Sequence, residues 1–261
     1  MSKQLPDTQN KVDDRKIIID KVGIKDIKHP IEFIDKGLKQ NVVANFTMTT
    51  KLAADVKGTH MSRFIEVLNA EDTSFDIHTF SDLLKKAAAK LKSNEAHIKV
   101  SFQFFVRKKA PISGVKSFLD YQVMLSGKVI NNKVDTLLQV VVPVKSLCPC
   151  SKSISEYGAH NQRSHVTIKV KVNPKISVID MIKLAENNAS SELYAILKRE
   201  DEKFVTESAY SKPAFVEDMV RDIALVLNNN KDIEYYQVES ENFESIHNHS
   251  AYAVVEKHIK K

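Results

Sequence analysis

After Asn131-Asn132 the order of elements in this chain begins again, and no other feature narrows its fold as much. Ahead of that dipeptide, whose composition suits a hairpin turn, "NVVANFTMTTKL" (41–52) gathers β-branched and aromatic residues as a half-buried strand does. "HMSRFIEVL" takes helical spacing, with Met61, Phe64, Ile65 and Leu68 on one face, and "FSDLLKKAAAKL" (80–91) adds a helix of strong formers. Two strand-like runs follow, at 96–109 and 117–130. Beyond the turn the spacing predicts a strand over 134–145 interrupted by Pro143, a cysteine-bearing loop, and an alternating strand over 164–172. Helices over 177–197 and 213–228 come next, the second opened by Pro213, and strands over 234–243 and 250–258 close the chain. With a weak strand near 15–24, each half reads β-β-α-α-β-β.

Such a duplication predicts an α+β architecture, with antiparallel sheets and helix pairs layered on one face. The predicted organisation is a disordered tail over 1–15, a first unit over 16–132 and a second over 133–261, with the polar "KHIKK" frayed at the end. Units of this kind expose long sheet edges, and a barrel assembled across subunits removes them, so an oligomer with interface sites is expected.

Composition removes several function classes. In 261 residues no apolar run approaches the roughly 18 to 20 needed to span a bilayer, and the first residues carry no signal core; a cytoplasmic protein without membrane partners is the expectation. The two cysteines, Cys148 and Cys150, are too close for a disulfide framework and one residue short of redox spacing. A net charge of +6 suits a polyanion, yet the lysines form no stripe and are not interleaved with aromatics, which argues against a nucleic-acid partner.

Chemistry concentrates in "CPCSKSISEYGAHNQR" (148–163), where Cys148 and His160 can offer a thiolate and an imidazole to a borderline divalent metal. Two ligands are too few, and the later segments "REDEKFVTES", "FVEDMVRD" and "ESIHNH" hold the carboxylates and histidines that could complete the set. A plainer reading stands beside this: a Cys-x-Cys can be two small buried residues, and His160 can bond a backbone carbonyl. Glu217 and Arg221 have the spacing of a surface ion pair worth about 0.3 to 0.5 kcal/mol, and Met61 of "GTHMSR" can be packed in the core. Spacing alone reaches no further than a metalloenzyme.

The motif itself carries more. "CPCSKSISEYGAHNQRS", together with "LPDTQNKVDDRKIIIDKVGIK", "KGTHMSRFIEVLN", "DEKFVTESAYSKPAFVEDMVRD" and "NFESIHNHSAYA", closely resembles the type IB GTP cyclohydrolase I family, the prokaryotic alternative to type IA. The resemblance implies a tunnelling fold (T-fold) with two β-β-α-α-β-β units per chain, and a homotetramer with interface active sites. It implies hydrolysis of GTP to 7,8-dihydroneopterin triphosphate and formate, the first step toward tetrahydrofolate and other pterins. One divalent ion per site, manganese, zinc or iron, is implied on Cys148, His160 and Glu202, with Cys150 in a supporting role. His247, with His249 as competitor, matches the general acid, and Glu217 or Glu244 the guanine anchor. Lys57, His60, Arg63, Lys152 and Arg163 match positions suited to the triphosphate.

Two rivals are weighed on the same residues. A nitrile reductase-like tunnelling-fold enzyme acting on a purine or pterin would use Cys148 as a covalent nucleophile. A basic nucleic-acid module would use its metal structurally and bind with a steep salt dependence.

Overall fold

The structure, a computed structural model, describes residues 7–70, 74–173 and 175–259. Positions 1–6 of the expected tail and 260–261 of the expected frayed end lie outside the described residues. Contacts divide the chain into two units, residues 1–102 with 124–137 and residues 103–123 with 138–261. Each unit is a mostly antiparallel sheet carrying helices.

In the first unit β1 (Ile19–Asp35) and β2 (Leu38–Leu52) form a hairpin through Lys36 and Gly37, at φ 47° and 81°. Two successive left-handed residues twist in the sense of the strands, which is why such turns join hairpins. The sequence reading saw only fragments of this pair. Polar residues break its alternation, and a bulge marked by Asp26 at φ 59° shifts the register between Ile24 and Ile27. At Gly23 the strands leave no room for a side chain: a Cβ there would stand 2.0 Å from the Met48 carbonyl oxygen.

Next to β2 lies β4 (Glu95–Lys109), and the short β3 (Ser74–Asp76) runs parallel to β1, giving the order β4-β2-β1-β3. Two helices, α1 (Ser62–Leu68) and α2 (Phe80–Leu91), bury Phe64, Val67, Leu68, Phe80, Leu84, Ala87 and Leu91. Phe33, at the centre of this core, meets Phe102 at 4.6 Å between ring centroids. Met61, expected in the core, is instead the residue before α1 and is exposed, because the helix starts one residue later and turns Val67 inward. Strands β5 (Lys116–Ile130) and β6 (Lys133–Leu147) meet at Asn131-Asn132, both left-handed, as the hairpin expectation required.

In the second unit the order is β10-β9-β7-β6, from β7 (Asn161–Lys171), β9 (Tyr235–Asn242) and β10 (Ala251–His258). Pro143 does not interrupt β6; the ladder with β8 (Ser191–Glu192) begins at Val144, just past the residue that lacks an N–H. The motif loop contains a short helix, α3 (Pro149–Ile154).

The helix predicted over 177–197 is shorter. Helix α4 (Val178–Asn187) is capped by Ser177 Oγ, which accepts from Asp180 N at 3.1 Å, and stops where Asn188 donates its side-chain amide back to Leu184 O at 2.8 Å. Its polar successor, read only as a source of carboxylates, is a full helix, α5 (Arg199–Ser211), with three acidic residues in its first turn. Helix α6 (Val216–Asn229) begins three residues after Pro213 and not at it. Met219, Ile223 and Leu227 of α6 are buried with Val166, Ile168, Tyr236 and Val238 of the sheet.

Candidate metal and substrate site

A closed set of hydrogen bonds joins Cys148 to His160. Cys148 N donates to His160 O at 3.1 Å, His160 N donates to Ser151 Oγ at 3.2 Å, and that hydroxyl donates to Cys148 O at 3.2 Å. Cys148 precedes α3, with Pro149 at the first helical position, and its Sγ accepts from Ser151 N at 3.4 Å. That N–H holds the sulfur at the start of the helix, where a capping acceptor sits.

The imidazole is oriented by a second chain of contacts. Gln162, buried on β7, donates its amide to Ser146 Oγ at 2.9 Å, and Ser146 shares a 2.7 Å hydrogen bond with Ser164. That leaves the Gln162 carbonyl oxygen for His160 Nδ1, 3.1 Å away, while Ser245 Oγ at 3.5 Å and Glu244 Oε2 at 3.8 Å approach the same nitrogen. A histidine donating from Nδ1 carries its lone pair on Nε2, as a metal-ligating imidazole does. The donor chemistry of Cys148 and His160 therefore fits a borderline divalent ion. Among the described residues no three His, Cys, Asp or Glu side chains converge as a metal-holding group. Glu202 is exposed on α5, outside the hydrogen-bonded clasp.

Beside Glu202, Asp201 is fully buried and ties α5 to the segment joining β4 and β5. It accepts from Ile112 N at 2.8 Å, Ser113 N at 2.9 Å, Ser113 Oγ at 2.6 Å and Lys198 N at 2.8 Å. Burial pushes its carboxyl upward, but these donors outweigh it and hold the group well below the usual carboxylate range.

The other candidates are distributed. Glu244 is half-buried beside His160, with a side chain 12% exposed, whereas Glu217 is exposed in the first turn of α6. His247 and His249 are exposed and stack on each other, ring centroids 5.2 Å apart and planes 17° from parallel. Lys152 donates from Nζ to Tyr210 O at 2.5 Å and sits 4.4 Å from that ring's centroid, bracing the end of α5. Arg163 is exposed on β7, and its carbonyl accepts from Phe243 N at 3.1 Å. Nearby, burial pushes His165 below its ordinary value, with Glu241 opposing and Arg163 adding to the shift. Cys150 is exposed.

In the first unit, His60 and Arg63 line a cavity of about 790 Å³ together with Lys51, Lys92 and Asn10, and Lys57 is exposed close by in sequence. Sequence reasoning missed Gln162, Ser146, Ser151 and Asp201. For Gln162 a signal existed: it lies two residues after His160 at the start of a strand, hence on the same face.

The family model and the curated relatives agree on one family. A family model described as type I GTP cyclohydrolase folE2 matches residues 5–253. The GTP cyclohydrolase FolE2 of Vesicomyosocius okutanii is 61% identical over 255 residues, covering 97% of each chain. That of Nitrosomonas eutropha is 52% identical over 259 residues, covering 98% of this chain and 97% of its own. Among solved structures, a highly active BTUO mutant aligns with TM-score 0.52 and 9% identity, covering 92% of this chain and all of the other, a likeness of fold consistent with the tunnelling fold. The uricase from Arthrobacter globiformis gives a TM-score of 0.48 at 9% identity over 93% of both chains. With a family model spanning nearly the whole sequence and relatives this similar end to end, the chain belongs to the type I GTP cyclohydrolase folE2 family.

Proposed function

We propose that this chain hydrolyses GTP to 7,8-dihydroneopterin triphosphate and formate, with a divalent ion held by Cys148 and His160. The observation that carries the reading is the clasp joining Cys148 to His160 in a chain matched end to end by GTP cyclohydrolases named FolE2. Glu202 would be the third ligand, and manganese, zinc and iron all suit a mixed sulfur, nitrogen and oxygen set. When bound, the ion supplies a lowered pKa for water, making hydroxide available near neutrality.

The protein groups divide the remaining work. Glu244, 3.8 Å from His160 Nδ1, would orient that imidazole, because a ligand histidine commonly keeps a carboxylate or carbonyl on its other nitrogen. Glu217, exposed on α6, is the better guanine anchor: the N1–H and exocyclic amine lie at the opposite end of the purine from C8, and one carboxylate accepts both. His247 supplies the proton that N7 takes as the imidazole ring of guanine opens, with His249 stacked against it. Arg63, His60 and Arg163 take the triphosphate, Arg through its forked donors. Lys152 is retained as a candidate, although its ammonium is engaged by Tyr210. We further propose a homotetramer with one metal per site at subunit interfaces, working in the cytoplasm.

Incubating metal-free protein with GTP while manganese, zinc or iron is restored separately, and following formate and fluorescent pterin, tests the reading. Product with at least one metal is expected; none with any metal overturns it. Activity that resists chelators and requires NADPH would instead favour the nitrile reductase-like reaction with Cys148 as nucleophile.

A further inference from the structure

The block at the start of the chain, "LPDTQNKVDDRK", has no role in the chemistry above, yet its described part is anchored on the loop that carries the triphosphate candidates. Asp13 N donates to Asp55 O at 3.0 Å, Lys57 N to Lys11 O at 3.1 Å and Gly58 N to Gln9 O at 3.1 Å, and Val12 bridges Val56. The strap is close enough at Gly58 that a Cβ there would stand 3.4 Å from Gln9 Cγ.

At the strap's near end, Asp7 Oδ2 accepts from Asn10 Nδ2 at 2.6 Å and stands 3.3 Å from His60 Nε2. That distance is within ion-pair range, but the alignment fails as a hydrogen bond, and Nε2 is buried with none. A buried ring nitrogen facing a misaligned carboxylate is a position where a better-placed anion gains more than it does in water. The cavity of about 790 Å³ on which His60 opens is lined by three further cations, Lys51, Arg63 and Lys92, and by one carboxylate, Glu95. Glu95 is itself paired with His97 at 2.7 Å.

We propose that Asp7 is a tethered carboxylate occupying an anion position on His60, and that a polyphosphate entering the cavity at His60 and Arg63 displaces it and loosens the N-terminal strap. Asp7 thereby sets how tightly the polyphosphate is held. The inference rests on the reading of His60 and Arg63 as triphosphate contacts.

The test uses the full-length, chelator-treated chain and inorganic tripolyphosphate, with binding followed by calorimetry and amide hydrogen exchange by mass spectrometry. Asp7→Asn is expected to bind about fivefold more tightly, the order of one exposed charge contact. Asp7→Glu should return affinity toward the starting value. In the unaltered protein tripolyphosphate should speed exchange at the Lys57 and Gly58 amides, whose acceptors are on the strap. Unchanged or weaker binding by Asp7→Asn, or protection of those amides, overturns the proposal. His60→Ala and Arg63→Ala separate the two readings: if neither weakens binding, the triphosphate assignment fails along with the strap. If both weaken it while Asp7→Asn does nothing, the strap proposal alone fails.

Discussion

His160 and His60 are both half-buried histidines, and their surroundings treat them in opposite ways. Around His160 every approach converges on Nδ1, from Gln162, Ser245 and Glu244, and the ring is fixed with its other nitrogen free to ligate. Around His60 the Asp7 carboxylate is misaligned, and Nε2 is buried without a hydrogen bond. The first arrangement has its imidazole already oriented, with the third ligand still to be brought to it. The second is unsatisfied, so it gains from a ligand that replaces a neighbour. A histidine's role is thus read from which of its nitrogens the protein has already used.

The comparison breaks most sharply on metal retention. His160→Ala should lower metal affinity by more than about a hundredfold, whereas His60→Ala should leave the metal content of the purified protein unchanged. Elemental analysis of both variants decides it, and metal loss in His60→Ala would erase the distinction. A finer probe is Gln162→Leu, which removes the carbonyl oxygen orienting His160. Metal affinity should fall about 10- to 100-fold, with tripolyphosphate binding unaffected.

Ionic strength separates the regions without mutation: tripolyphosphate affinity should drop several-fold, on the order of a decade, between low and physiological salt, while metal retention holds. The smallest effect concerns Lys152. If it braces α5 through Tyr210, Lys152→Met should lower unfolding free energy by about 1 kcal/mol in urea titration and leave tripolyphosphate affinity alone. The reverse pattern would return Lys152 to the phosphate contacts.

The sequence disclosed the parts whose physics is local. Asn131-Asn132 predicts its turn because two adjacent left-handed residues favour asparagine, and the runs at 96–109 and 117–130 became β4 and β5 nearly residue for residue. Helix α5 was missed because its first turn is acidic and its apolar residues are few, Val205 and Ala209 being the buried hydrophobic ones, so periodicity is faint and tertiary packing decides. At the site, Cys148 and His160 were legible as residue types twelve positions apart. Their clasp was not, since it runs through backbone groups and the Ser151 hydroxyl. Asp201 was hidden for another reason: its partners Ile112 and Ser113 lie almost ninety positions earlier, at |i−j| of 89 and 88.

That last separation bears on how the chain can diverge. Asp201 satisfies two backbone amides and a hydroxyl in the segment between β4 and β5 while standing next to Glu202. Residue 113 and residue 201 are therefore a single heritable unit: a lineage that replaces Ser113 inherits a carboxylate short of one donor at the start of α5. Loss of the hydroxyl at residue 113, remote in sequence from every candidate ligand, should be tolerated best where position 201 changes with it.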